Sequence, residues 1–246
     1  MIFEFVALAT GTVASGTTVD CSTSLNVKAG DLLVGWGHYN SAKTTAAIAK
    51  DSGSPANTFT FDAADENDHG SDPNHGAIGY LLSAAADATA IFRLTLGVSS
   101  SFLSIFVYQF RPTPGITVSK DTSNKGNGTG TALTSGNITL ARVDDVCVAC
   151  FGEASTAIES TTVELIGEVP ITERAGSPNS NFTAVWDRIA DTAFTGQAAA
   201  TLGTSNAWIL SIIAFKGTPP PDPILGWGVQ YSVGSGRRVV MIPSGS

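Results

Sequence analysis

Apolar and polar positions alternate with a period of two along most of this chain, a pattern that sends successive side chains to opposite faces of a strand and predicts an all-β protein. Helix-period stretches are few, and only SAAADA, residues 83–88, reads as a single helical turn. The strongest apolar run, Phe102 to Arg111 (FLSIFVYQFR), returns later as Ala207 to Lys216 (AWILSIIAFK). Both copies end aromatic then basic, Phe110-Arg111 and Phe215-Lys216, and a turn-forming segment follows each. Self-similarity at a long fixed period is the mark of an internal repeat. The chain therefore divides into a first β-sandwich unit over 1–112, a second over 113–217, and a C-terminal arm over 218–246.

Within the first unit the strand at LLVGWG puts Leu32, Val34 and Trp36 on one face and Leu33, Gly35 and Gly37 on the other. A face nearly free of side chains either packs closely on a neighbour or lines a shallow groove. In the second unit ARVDDVCVACFG replays KAGDLLVGWG, with Asp145 in the place of Asp31. The closing strand of the first unit is apolar on both faces, with Phe102, Phe106, Tyr108 and Phe110 opposite Leu103, Ile105 and Val107. Such a strand belongs in the middle of a structure, and its second face is expected to meet the other unit or another subunit. Each unit offers about eight short strands separated by Gly, Ser and Asn turns, the pattern of a sandwich or jelly roll. Residues 38–76 read as the longest irregular stretch, with one strand at NTFTF.

The arm begins with TPPPDP, residues 218–223, which can be neither helix nor sheet interior and reads as a stiff extended spacer. Beyond it Leu225, Trp227, Val229, Tyr231 and Val233 alternate with polar or small residues, then Gly234-Ser235-Gly236 marks a turn and RVVMI a return strand. This is a hairpin signature with an apolar stripe. A lone hairpin is marginal in water, so the stripe needs a surface to cover it. Strand addition to a neighbouring subunit is one solution and folding back on its own body the other.

Charged residues make up 14% of the chain, below the roughly 25% of an average soluble domain, so the surface is polar mainly through hydroxyls. The net charge of −8 and only 13 scattered Lys and Arg argue against a nucleic-acid partner. No run of apolar residues is long enough for a transmembrane helix, and MIFEFVALATG lacks a basic start and is interrupted by Glu4, so it reads as a first strand rather than a signal peptide. Cys147 and Cys150 form a CxxC inside a strand, where residues three apart face opposite ways, so both read as small buried hydrophobes.

The most polar segment, FDAADENDHGSDPNHG, gathers Asp62, Asp65, Glu66, Asp68 and Asp72 with His69 and His75. Carboxylates at this density repel unless solvated or neutralised, which makes the five acids a candidate Ca²⁺ site; they do not follow EF-hand spacing. The histidines raise a transition-metal set as a further alternative. No other cofactor is implied. Trp36, Tyr39, Trp186 and Trp208 are candidate platforms for stacking on sugar rings, with core packing as the competing reading. Glu153, Glu159, Glu164, Glu168, Glu173 and Asp187 could pair as glycosidase carboxylates only at a separation that sequence does not give. No catalytic residue is assigned, and no nucleophile elbow, Walker loop or zincin motif occurs.

The GDLLV stretch at Gly30 to Val34 and the closing strand VYQFR, with the high Thr and Ala content and low charge, resemble the tandem β-sandwich structural proteins of tailed bacteriophages. The resemblance covers residues 2–217 and implies a non-enzymatic virion protein, a capsid decoration, head-fibre or tail accessory subunit. Its expected partners are copies of itself and other virion proteins. The alternative is a carbohydrate-binding module that recognises host surface glycans, and a glycan-degrading enzyme ranks third. Fold alone does not separate these.

Overall fold

A computed structural model describes residues 2–220 apart from 43, 45, 71–72, 141–143, 154–161, 167–171, 176–182 and 191–192; beyond 220 it describes 227–229 and 241–243. Ten strands make the first unit: β1 (Phe3–Val13), β2 (Gly16–Asp20), β3 (Leu25–Val27), β4 (Leu32–Asn40), β5 (Ala46–Lys50), β6 (Thr60–Asp68), β7 (Asn74–Leu81), β8 (Asp87–Ala90), β9 (Phe92–Ser100) and β10 (Leu103–Pro112). Seven follow: β11 (Thr117–Thr134), β12 (Ile138–Leu140), β13 (Val146–Glu153), β14 (Thr162–Ile166), β15 (Thr172–Ala175), β16 (Thr183–Ile189) and β17 (Phe194–Thr218). β18 (Trp227–Val229) and β19 (Met241–Pro243) lie in the arm. The described residues contain no helix, and SAAADA runs as a loop into β8 rather than a helical turn. Its Ala84 instead fills the first sandwich core.

Every paired neighbour is antiparallel, and two large sheets dominate, ordered β1-β10-β4-β7-β6 and β11-β17-β13-β16-β15. Each large sheet is covered on one face by a smaller layer. In the first unit that layer is β2-β9-β5 with β3-β8 beside it. In the second, the long β11 and β17 run on past the large sheet, and their far ends pair with each other while β12 and β14 add to β17. The uncovered faces of the two large sheets pack on each other, so the molecule is a stack of four β-layers.

Corresponding strands carry corresponding irregularities. The ladder slips between Phe5 and Ala7 in β1 and between Lys120 and Thr122 in β11. Gly11 and Gly126 sit where the chain passes over its own backbone: a Cβ on either would lie 1.9 Å from a carbonyl oxygen, that of Asp20 or of Thr134. Only glycine allows that approach.

Three cores follow from the layers. Leu33, Leu103, Ile105 and Val107 face the first unit's own cover, against Ile48, Phe92 and Leu94. Cys147, Phe151, Leu210 and Ile212 do the same in the second unit. Between the large sheets lie Leu32, Val34, Trp36, Phe106, Tyr108 and Phe110 from the first, against Val146, Val148, Cys150, Ile209, Ile213 and Phe215 from the second. The doubly apolar β10 is thereby explained: one face closes its own sandwich and the other joins the two. The side-chain-poor face of β4 packs tightly rather than lining a groove, since a Cβ on Gly35 would come within 2.9 Å of Ile48 and one on Gly37 within 2.8 Å of Leu94. Cys147 and Cys150 fall in different cores, as a period of two requires, and burial pushes the Cys147 thiol up to about 12.

Candidate functional site

The chemistry-bearing residues collect along the margin of the inter-sheet core, where β6 lies against β11 and β17. The acidic segment is largely strand: Phe61 to Asp68 lie in β6 and Asn74 to Gly76 open β7, and between Phe61 and Glu66 the β6–β7 ladder is interrupted, which marks a bulge in β6. Side chains then alternate with inward-facing polar groups, Asp65 and Asn67 being 2% exposed. Polar residues face inward here because their partners are polar.

Lys120 of β11 supplies the main neutralising charge, donating to Asp62 Oδ2 at 2.8 Å and Asp65 Oδ2 at 2.6 Å. Burial pulls the lysine down, but its bonds to the two carboxylates outweigh that and hold its ammonium above the ordinary lysine value. Lys120 and then the Tyr80 hydroxyl, both donating to Asp62, hold that carboxyl below its usual range. The Lys120 ammonium also stands 5.7 Å from the centre of the Tyr80 ring. Lys125 donates to the carbonyl oxygens of Ala63 and Glu66, and Asn127 to that of Asp68. Asp68 itself caps the Gly70 amide at 2.8 Å and lies 3.1 Å from His75 Nδ1. His69 contacts Thr129.

The four described candidate metal ligands, Asp62, Asp65, Glu66 and Asp68, do not gather round one point. Asp62 and Asp65 hold a lysine, Asp68 faces His75, and Asp72 lies outside the described residues. Among the described residues no three His, Cys, Asp or Glu side chains converge as a metal site would need. One lysine from the second unit, Lys120, which a reading of the acidic segment alone does not connect with it, neutralises Asp62 and Asp65, while Lys125 ties down the backbone carbonyls of Ala63 and Glu66.

Deeper in the seam the polar groups are more fully enclosed. Asn67 Nδ2 donates toward the carbonyl oxygens of Gly126 and Leu210 and the Ser211 hydroxyl, at 3.0–3.1 Å. Asn74 Nδ2 donates across to the carbonyls of Gly152 and Ala207. Its Oδ1 can only accept, so the 2.8 Å contact with His38 Nε2 places the imidazole proton on Nε2. Desolvation holds His38 down to about 4, partly offset by that bond to Asn74, with His75 nearby lowering it further. Trp36 Nε1 donates to the Thr183 hydroxyl at 3.0 Å, and Thr183 donates in turn to the carbonyl of Phe151. Every one of these bonds runs between units or anchors a group that does.

The proposed sugar platforms are corrected by their burial. Trp36 packs between the large sheets, Tyr39 in the first sandwich core, and Trp186 and Trp208 in the second. The Trp36 ring occupies the space that a Cβ on Gly76 would need, at 2.0 Å. A stacking platform presents an open ring face, and none of these four does. Of the candidate glycosidase carboxylates, Glu153 and Asp187 are buried, and Glu153 accepts from Asn206; Glu164 and Glu173 lie on β14 and β15, and Glu159 and Glu168 outside the described residues. Burial raises the Glu153 carboxyl, and the Asn206 bond only partly offsets it.

A cavity of about 770 Å³ lies where β1 begins, β10 ends, and the linker between units passes. Its wall is organised by Asp31, a buried carboxylate that accepts from the Lys28 amide, Gln109 Nε2 and, bidentately, Arg111. The basic ends of the two closing strands thus take different partners, Arg111 binding Asp31 and Lys216 binding Asp121 at 2.6 Å. Pro220 reaches the rim of this cavity, 3.8 Å from where a Cβ on Gly115 would stand. Of the arm's stripe, Trp227 and Val229 lie in β18, which pairs with β19 in the register Trp227 to Pro243 and Val229 to Met241; Leu225, Tyr231 and Val233 lie outside the described residues. Among the described residues the β18-β19 pair joins neither large sheet.

No family model matches the sequence, and no curated protein matches it.

Proposed function

We propose that this protein is a non-enzymatic structural subunit of a bacteriophage virion, a decoration, head-fibre or tail accessory protein, that assembles through its sandwich body and its C-terminal arm. The observation that carries this reading is the departure of the arm: Thr218, Pro219 and Pro220 are exposed where β17 ends, and among the described residues the strand pair beyond them belongs to neither large sheet. A stiff spacer followed by an apolar strand stripe suits attachment to another molecule. The body supports the same reading, because its seam of lysines, carboxylates and amides is spent on joining two sandwiches. The glycan-binding alternative has lost the four aromatics on which it rested. Light scattering on the full chain and on a chain ending at Pro220 tests the proposal. A defined oligomer for the first and a monomer for the second is the expected result. Monomers for both would overturn it and make glycan-array binding the next measurement.

A further inference from the structure

We propose that Lys120 and Asp65 join covalently: Lys120 Nζ forms an amide with the Asp65 carboxyl carbon, one water leaves, and the two units become bonded through their side chains. The bond does not depend on the assembly role above. Lys120 Nζ lies 2.6 Å from Asp65 Oδ2. That contact holds the nitrogen within about 3.5 Å of the carboxyl carbon, the separation of a near-attack arrangement. The acid is enclosed, its side chain 1% exposed against 20% for the lysine. Its second oxygen, Oδ1, is buried with no hydrogen-bond partner among the described residues. An ion pair leaves part of the carboxylate charge on that oxygen with nothing donating to it, which is costly in an enclosed site. An amide carries no charge there. It also keeps one N–H for Asp62 Oδ2, which already accepts from Nζ at 2.8 Å.

Asp62 is the second carboxylate that the step requires, oriented by the Tyr80 hydroxyl at 2.9 Å. Attack needs an uncharged amine, but the first ammonium proton need not reach water. It passes along the hydrogen bond to Asp65 Oδ2 and leaves an amine beside a carboxylic acid. The Nζ lone pair then bonds to the Asp65 Cγ. Asp62 takes a second proton from the nitrogen and hands it to the Asp65 oxygen that carries the first. The Cγ–O bond breaks, that oxygen departs as water, and Asp62 is returned unchanged. One positive and one negative charge disappear together, and nothing is oxidised or reduced. The two carboxylates hold the lysine ammonium above its ordinary value, so the neutral pair is a minor species and joining is slow. The two residues stand 55 positions apart, on β6 and β11. Their bond closes a ring through β7 to β10 and removes conformations from the unfolded chain, as any long-loop cross-link does.

Intact mass and a tryptic map of the full-length protein test this, with Lys120→Arg and Asp62→Asn alongside. Arginine keeps the positive charge but stays protonated and is no nucleophile, so Lys120→Arg should have the full mass of its sequence. Against that reference the natural chain is expected to be lighter by one water, about 18 Da. Trypsin should release its Asp65 peptide joined to its Lys120 peptide, uncut after Lys120. Asp62→Asn should remain mostly unjoined, because an amide does not take up the proton. Separate Asp65 and Lys120 peptides from the natural chain overturn the proposal and leave an ion pair. A missing water without a joined peptide, as a cyclic imide at an aspartate would give, overturns it as well. Full joining in Asp62→Asn overturns the proton transfer assigned to Asp62. The natural chain alone decides whether the bond exists, so the result does not hang on a variant that fails to fold.

Discussion

His38 shows what a single residue contributes to this fold. It sits on the inter-sheet face of β4, fully enclosed, with Nε2–H committed to Asn74 and no hydrogen-bond partner for Nδ1 among the described residues. The neutral ring is preferred in the folded state, so its pKa lies at about 4, below the ordinary value near 6.5. The unfolded chain then binds the proton first, and stability is lost as pH falls through the window between those values. Urea unfolding at pH 7 and pH 4.5 should show the natural protein losing about 2–3 kcal/mol more than His38→Gln does. At Gly126 the constraint is steric. An added methyl would stand 1.9 Å from the Thr134 carbonyl oxygen, so Gly126→Ala should cost more than about 3 kcal/mol or prevent soluble expression, as should Gly11→Ala. A urea midpoint compared with that of Gly115→Ala controls for the loss of glycine itself, although Gly115, at φ 86°, carries its own smaller backbone cost.

At the scale of elements, β6 acts as a strap. It pairs with β7 along one edge and reaches the second unit through Lys120, Lys125 and Asn127 along the other. Removing one partner of an enclosed ion pair strands the other, so Lys120→Met should destabilise by roughly 2–4 kcal/mol. The double change Lys120→Met with Asp65→Leu should recover part of that loss, since no buried carboxylate is then left bare and Asp62 keeps water and the Tyr80 hydroxyl. Millimolar Ca²⁺ should leave the unfolding midpoint of the natural protein unchanged, because Lys120 already occupies the position a cation would take. The acidic segment read as a loop because its inward positions are polar, and alternation in hydrophobicity disappears when a strand's buried face meets lysine, serine and backbone carbonyls. By contrast β4, β10 and β13 bury both faces in apolar surroundings and were plain in the pattern.

Across the whole molecule the inter-sheet core decides how independent the two sandwiches are. Each large Val, Leu, Ile or Phe side chain enclosed there contributes roughly 1.5–3 kcal/mol, and a dozen such residues line the contact. The two sandwiches should therefore unfold in one transition by calorimetry. Residues 1–116 expressed alone would expose Leu32, Val34, Trp36, Phe106, Tyr108 and Phe110 as one apolar face, and should aggregate or pair through it. Two separate calorimetric transitions, or a soluble monomeric fragment, would show that the seam is weaker than its composition indicates.

By itself the sequence determined the strand class, the faces of β4 and β10, the separation of Cys147 from Cys150, and the need for something to cover the second face of β10. Each of these follows from a local period of two, which neighbours in sequence are enough to impose. Tertiary structure alone decided that Lys120 neutralises Asp62 and Asp65, that His38 lies against Asn74, and that Trp36, Tyr39, Trp186 and Trp208 are core residues. It also placed Pro220 beside the cavity formed by Phe3, Ala29 and Ile116. Those pairings join residues far apart in the chain, and the free energy of a buried charge or an enclosed ring depends on which distant group arrives beside it, which no local pattern records.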